Sequence, residues 1–383
     1  MKGRKKTGLL IRLLAFLATA ALVMGAVALV VYRDALNLDA LRRYLTYRSL
    51  EKNESGQARE FQYNGDSSNS FATLDGGLLV CSTTGIQLFS QSGTLYVNET
   101  VSMEHPVITV GGAAAAVYDA GGQKLFAYVD REEAFSYTAE GDNVILSARL
   151  NENGWLTLIT QKSGYKGSVT VYNAAFQQML TEDISSSFVS DATVSPDNKT
   201  LAVVALGQNG TDFESKLRFY GLSDGLLKSE ASLGSDVVLD LKWDGRGIWT
   251  LGEENVTLTD GTGQRLGRWQ ADQQVLKEFS LGGDGFAVLL LGRYRSGNVG
   301  ELVVVDASGQ QSASLSLREE TRSISAAGRY ISVLSAARLD IYTSNLEPYA
   351  SLEETAGIRR VIQREDGSVM LIGAESARLF VPE

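Results

Sequence analysis

The sequence has one cysteine, one histidine and four prolines in 383 residues. A single thiol cannot form an internal disulfide, and a four-cysteine zinc site is excluded with it. The lone imidazole, His105, removes most histidine-based chemistry. The four prolines stand against 39 glycines, a balance that calls for many tight turns and few rigid ones, as in chains of short hairpins. Hydrophobic residues make up 44% and charged residues 21% of the chain, which is too apolar and too weakly charged for a disordered protein. A chain of this length buries one large core or two ordinary ones.

The formal net charge of −10 hides a split. Residues 1–53 carry ten basic and three acidic groups, a net of +7, and the remaining 330 residues carry 25 basic against 42 acidic groups, a net of −17. That distribution describes a basic, membrane-facing segment attached to an acidic domain. Clustered Lys and Arg are what nucleic-acid backbones require, so the acidic domain argues against a nucleic-acid partner.

From Leu13 to Val31 nineteen residues run without a charge, LLAFLATAALVMGAVALVV, after the basic cluster KGRKK and Arg12. As a helix this run would rise roughly 28 Å, close to the hydrocarbon thickness of a bilayer. The sequence thus predicts a basic cytoplasmic tail over 1–12, a transmembrane helix over 13–31 and an extracytoplasmic remainder. The competing reading is a cleaved signal peptide, because Ala26-Val27-Ala28 offers a small-residue site. Cys81, the only thiol, lies too far beyond the apolar run to carry a lipid anchor. Over 32–57, Leu38, Leu41 and Leu45 follow helical spacing and predict a short helical stalk, with Asn53 to Gln57 as a flexible joint.

The rest of the chain repeats. An Asp-Gly or related pair precedes a short apolar strand at Asp75-Gly76, Gly111-Gly112, Asn153-Gly154, Asp197-Asn198, Asp244-Gly245, Asp284-Gly285, Ala327-Gly328 and Asp366-Gly367. The intervals are 36, 42, 44, 47, 40, 43 and 39 residues, a period that marks a repeat architecture. A second, alternating strand follows each pair, for example KLFAYVD from Lys124 and LVVVDASG from Leu302. Four strands per unit, joined by hairpins, make a propeller blade. The expected fold is therefore all-β: an eight-bladed β-propeller of four-stranded blades over 58–383, preceded by one transmembrane helix and the stalk. The last unit stops after its third strand, and Arg59 to Tyr63 form an orphan alternating segment. Pairing the two would complete the eighth blade and remove two open edges. Two units are lengthened at the same connection, between the second and third strands, from Gly207 and from Gly292, which places both insertions on one face.

The segment VSPDNKTLAVVA from Val194 resembles the strand-turn-strand signature of WD40-like propellers in bacterial envelope proteins. The LFS, VYN and FYG strand ends resemble those of quinoprotein-like propellers. The whole plan of basic tail, single span and propeller resembles an uncharacterised bacterial family of membrane-anchored propeller proteins. The resemblance implies a fold and a location, and it carries over no catalytic residue. Trp155, Trp243, Trp249 and Trp269 occupy no common blade position, unlike the docking tryptophans of the quinone-dependent dehydrogenases.

Chemical motifs are sparse. Gly221 to Gly225 match G-x-S-x-G, but turn residues account for every letter and no helix follows. His105 precedes a proline, no calcium-loop or paired-histidine spacing accompanies it, and Cys81 sits on an apolar strand. No metal or cofactor is expected. The pairs Glu132-Glu133, Glu253-Glu254, Glu319-Glu320 and Glu353-Glu354 read as solvated charge, since neighbours on a strand point to opposite faces. Polar residues in the innermost strands are the remaining candidates. Asp240, Lys242, Lys277, Glu278, Arg359, Arg360 and Arg364 are expected near the channel mouth, as ligand contacts or as ion pairs at the rim. The leading functional expectation is a non-enzymatic binding or scaffolding module, held in the cell membrane by one span and contacting a protein or cell-envelope partner through its face. The second is a propeller enzyme of the carbohydrate-active or lyase type using channel carboxylates. A third is a sensor that works through a membrane partner, because a tail of a dozen residues holds no effector domain.

Overall fold

The computed structural model describes residues 15–25, 38–294, 296 and 300–382, and it divides after Leu50 into two units. In the first, residues 15–25 are helical and a second helix spans Leu38–Tyr47. Among the described residues no helix is long and apolar enough to cross a membrane. The expected span over 13–31 is therefore not supported by the described residues, of which it includes only 15–25, helical; 13–14 and 26–31 lie outside the described residues, as does the tail over 1–12. In the second helix Leu41, Tyr44 and Leu45 are exposed.

The second unit, Glu51–Pro382, holds eight four-stranded antiparallel sheets. The innermost strands of blades 1 to 8 begin at Ser70, Pro106, Ile145, Phe188, Val238, Val275, Thr321 and Arg360. Within each blade the strands, here A to D from the channel outward, run in chain order, except that the outermost strand of blade 8 comes from the N-terminal side. The corner pairs found in the sequence are the A–B turns. Their second member has a positive φ in seven of the eight, the exception being Gly245. At Asp75-Gly76 both residues are left-handed, with φ of 47° and 75°, the geometry whose twist matches a two-residue hairpin.

Side-chain alternation then builds the core. Strand B of blade 2, Ala114–Asp119, is buried along its whole length. Its Ala115 and Val117 pack with Leu79 and Ile86 of blade 1, while Ala114, Ala116 and Tyr118 pack with Leu150 and Leu156 of blade 3. One strand thereby feeds two interfaces, because successive residues point to opposite faces. Strand B therefore reads as a continuous apolar run, as in Phe286–Gly292, whereas outer strands such as Gln311–Ser316 alternate between exposed and half-buried. Clusters of this kind join each successive pair of blades from 1 to 8.

Blade 8 is completed by Phe61–Gln62, which pairs with Ala377 and Ser376. The pairing extends on both sides through backbone bonds from Ala58 N to Leu379 O (2.8 Å), Tyr63 N to Glu375 O (2.9 Å) and Val381 N to Gly56 O (2.9 Å). Arg378 donates to Gln57 Oε1 and to Glu60 Oε2, both at 2.6 Å. The Tyr63 hydroxyl donates to the carbonyls of Gly373 and Ala374 at 3.0 Å. Asn53 to Gln57, expected as a flexible joint, is an ordered turn in which Gln57 N donates to Asn53 Oδ1 (2.8 Å) and Gln57 Nε2 to Glu354 (3.0 Å). The positive-φ Gly93 in blade 1 lies directly against the Cβ of Phe61, leaving no room for a side chain.

Candidate functional site

Strand A of each blade has one edge with no strand partner, facing the channel, so its N–H groups need acceptors from elsewhere. Side chains on the preceding blade supply several of them. Thr109 Oγ1 accepts from Leu150 N (3.1 Å), Ser280 Oγ from Ala326 N (3.0 Å) and Ser325 Oγ from Gln363 N (3.0 Å). Much of the channel's polarity is therefore the ring satisfying its own inner edges.

Five A strands also carry a β-bulge at the same place, at Ile145/Ser147, Val189/Asp191, Val238/Asp240, Leu276/Glu278 and Thr321/Ser323. Each bulge inserts one unpaired residue and bends its strand, and a polar residue follows it in every case. Asp191 and Asp240 converge on one guanidinium. Arg149, two residues beyond Ser147, donates to Asp191 Oδ2 at 2.5 Å and to Asp240 Oδ1 at 2.8 Å, and Ser147 Oγ donates to Asp191 Oδ1 at 3.1 Å. Burial opposes the charge on Arg149, but the two carboxylates outweigh it and hold its pKa above the ordinary value. Blades 3, 4 and 5 are clamped together through this triad.

The seven residues singled out in the sequence fall at two ends of the ring. Asp240 and Lys242 line a cleft of about 510 Å³ that reaches the A–B turns and also includes Arg149 and Thr193. Lys242 donates to Gly283 O at 3.1 Å. Its burial depresses the pKa, against the opposing effect of Asp244, Asp284, Glu365 and Glu152. Lys277 and Glu278 line a larger cleft of about 870 Å³ at the opposite end, among the D–A and B–C connections of blades 5, 6 and 7. Burial pushes the Glu278 carboxyl up, partly countered by the Ile324 N–H, Arg360 and the Ser323 hydroxyl. Arg359 and Arg360 are exposed at that same end of blade 8, whereas Arg364 sits by the A–B turn against Gly76.

Arg149 and Asp191 were not singled out from the sequence. The signal available was positional: Ser147, Asp191, Asp240, Glu278 and Ser323 stand four or six residues before their corner pairs, and even offsets keep one strand face.

The other motifs are structural. In the G-x-S-x-G stretch Gly225 N donates to Gly221 O (2.8 Å) and Leu226 N to Asp224 Oδ1 (3.1 Å), closing a C–D turn. Cys81 is buried, and desolvation first, then Asp119 and Asp66, push its thiol up to about 12. His105 is exposed, and its backbone N donates to Asp119 at 2.7 Å. The four Glu-Glu pairs are exposed. Among the described residues no three or more His, Cys, Asp or Glu are placed to hold a metal ion.

Residues 42–378 match DUF5711, a family of unknown function. The chain belongs to that family. No curated protein matches it. Among solved structures it is similar to the computationally designed protein Ika8, at 13% identity and a TM-score of 0.59, over 84% of this chain and 98% of that one. It is also similar to the C-terminal WD40 domain of Sif2, at 12% identity and a TM-score of 0.58, over 84% and 96%. BamB from Moraxella catarrhalis matches at 12% identity and a TM-score of 0.52, again over 84% and 96%. At such identities the likeness is one of fold, and this DUF5711 chain shares with them the β-propeller.

Proposed function

We propose that the chain is a binding or scaffolding module: a β-propeller held outside the cytoplasmic membrane by one N-terminal span, its face contacting a protein or a cell-envelope component. The observation that carries this reading is the channel, where the acids nearest to a catalytic pair, Asp191 and Asp240, are both engaged by Arg149. A carbohydrate-active enzyme of this kind needs two carboxyl groups free to reach one substrate, one to move a proton and the other to act as base or nucleophile. A stiff ring bearing loops of different length suits recognition instead, since the scaffold positions several loops at little ordering cost. The ten-residue strands of the blade 4 hairpin, Thr200–Asn209 and Asp212–Gly221, carry one such loop beyond the sheet. Anchoring is supported by the uncharged run over 13–31 and the basic cluster before it, and a cytoplasmic N-terminus follows from that charge.

The test is crosslinking of intact cells followed by detergent extraction of the full chain. Recovery of one stoichiometric envelope partner, with the chain resisting carbonate extraction and its propeller open to protease only from outside, supports the reading. Release by carbonate overturns the anchor. A bound glycan without any partner overturns the scaffold in favour of the enzyme.

A further inference from the structure

One group of large exposed apolar side chains lies at the D–A and B–C end of the ring, and others, such as Leu95, Met179, Leu226 and Leu266, lie by the C–D turns at the opposite end. Phe188 (60% exposed), Phe213 (68%), Val237 (49%) and Leu239 (46%) all lie at the end of blades 4 and 5 that carries the D–A and B–C connections. Leu146 of blade 3, also exposed, occupies the bulge position equivalent to that of Leu239 in blade 5. Exposed apolar side chains grouped on neighbouring connections are a feature of interaction surfaces. Leu239 leads into the 870 Å³ cleft, where Val275, Leu276 and Leu290 supply further apolar wall.

The cleft's charge is predominantly acidic, with Glu253, Glu254, Glu278 and Glu320 against Lys277 and Arg322. Glu253, Glu254 and Glu320 stand on it exposed, and among the described residues no salt bridge or side-chain hydrogen bond engages their carboxylates. Other carboxylates of the ring do have such partners: Glu230 meets Lys216 and Arg218, and Asp183 meets Lys162. Arg322, on the same cleft, turns to the Ile358 carbonyl at 3.3 Å. An acidic rim around an apolar wall, on a ring whose net charge is −17, favours a partner that brings apolar side chains flanked by positive charge.

We propose that this face docks a polypeptide segment in which aliphatic or aromatic residues are flanked by lysine or arginine, the apolar side chains seated by Leu239, Val275 and Leu276 and the basic groups against Glu253, Glu254 and Glu320. The cleft volume falls in the range that holds a few side chains and their backbone. This inference rests on the binding-module reading and names its surface and its partner class.

The experiment places a photoreactive benzophenone amino acid at Val237 of the full chain in its native membrane, with a control at Leu226, exposed on the C–D turn at the opposite end of blade 4. The expected result is a crosslink from position 237 and none from 226, mapped by mass spectrometry to a segment with Lys or Arg within three residues of the captured apolar site. The double variant Glu253→Lys/Glu254→Lys should lower the yield about tenfold at an unchanged melting temperature, while Glu132→Lys, remote on blade 2, should leave it alone. Capture from 226 but not from 237 overturns this surface and leaves the binding-module reading standing. Capture of an acidic segment, a second copy, the chain's own N-terminal segment or a polymer overturns the partner class, as does a yield indifferent to Glu253→Lys/Glu254→Lys. No capture at either position, with no partner recovered by general crosslinking, overturns both.

Discussion

Phe61→Ala tests whether the seam between the N-terminal strand and blade 8 holds the whole ring. Phe61 is 9% exposed, its ring centroid lies 5.1 Å from that of Phe89 at an interplanar angle of 34°, and its Cβ rests on Gly93. Truncation removes about 120 Å² of buried apolar surface, or about 3 kcal/mol at roughly 25 cal/mol per Å². That is the low end for a buried Phe→Ala, as suits an outer strand that can collapse. With an unfolding entropy of about 2.1 cal/mol/K per residue, a ring of about 330 residues melting as one unit loses about 4 °C. The assay follows from where the tryptophans sit: Trp155 in blade 3 and Trp243, Trp249 and Trp269 in blade 5, well away from the seam. Their fluorescence in a thermal melt of the full chain in detergent reports only distant blades. A shift of about 4 °C in that signal means the seam and the far blades melt together, as a closed ring requires. An unmoved tryptophan transition, alongside faster hydrogen exchange in 373–381, would refute the coupling and leave blades that melt by neighbours, as in an open array.

Three further outcomes follow from the site. Arg149→Met should destabilise by about 2 kcal/mol, below the value for a fully buried pair because the three side chains are 26%, 15% and 31% exposed. The triple variant Arg149→Met/Asp191→Leu/Asp240→Leu should recover most of that loss in a urea titration, and a triple as unstable as the single would show that stranded carboxylates are not the cause. Glu278 has a folded pKa raised chiefly by burial, so its ionised form works against folding and stability falls as pH rises through the folded value. Glu278→Gln should therefore raise the melting temperature at pH 7.5 and have a vanishing effect below the ordinary carboxylate range; a constant effect across pH would count against burial as the cause. Cys81, buried with its thiol pushed up to about 12, should resist a thiol reagent at pH 8 until denaturant is added, and prompt labelling of the native chain would contradict that burial.

The blades were legible because their information is local. A corner such as Asp75-Gly76 needs two left-handed residues, few residue types accept them, and their recurrence reveals the period without any knowledge of contacts. Strand B was legible for a second reason, since burial on both faces leaves no polar position in a run such as Phe286–Gly292. The A-strand bulges were not. A bulge adds one residue without changing the composition around it, and in Val238–Asp244 it shows only in the pairing, where Asp240 faces Leu251 and Leu239 drops out. The ordered turn at Asn53 to Gln57 was missed for a related reason: its composition reads as a joint, and its partner Glu354 is 297 residues away.

The candidate residues of the channel show how a shared composition divides by position. Asp240 and Lys277 both come from innermost strands, yet Asp240 follows its bulge and Lys277 is the bulge residue itself. Residues after a bulge point where the neighbouring blade can use them, and Asp191, Asp240 and Glu278 all find partners within the ring. The bulge residues Leu146, Leu239 and Arg322 pair with no strand and stay exposed at the end where the D–A connections enter. The same backbone irregularity therefore knits the wall of the channel on one side and leaves side chains exposed to solvent on the other. The docking face proposed above accordingly draws on Leu239, the residue inserted at the blade 5 bulge, with its neighbours at the D–A and B–C end. The polar residues that follow them serve the ring.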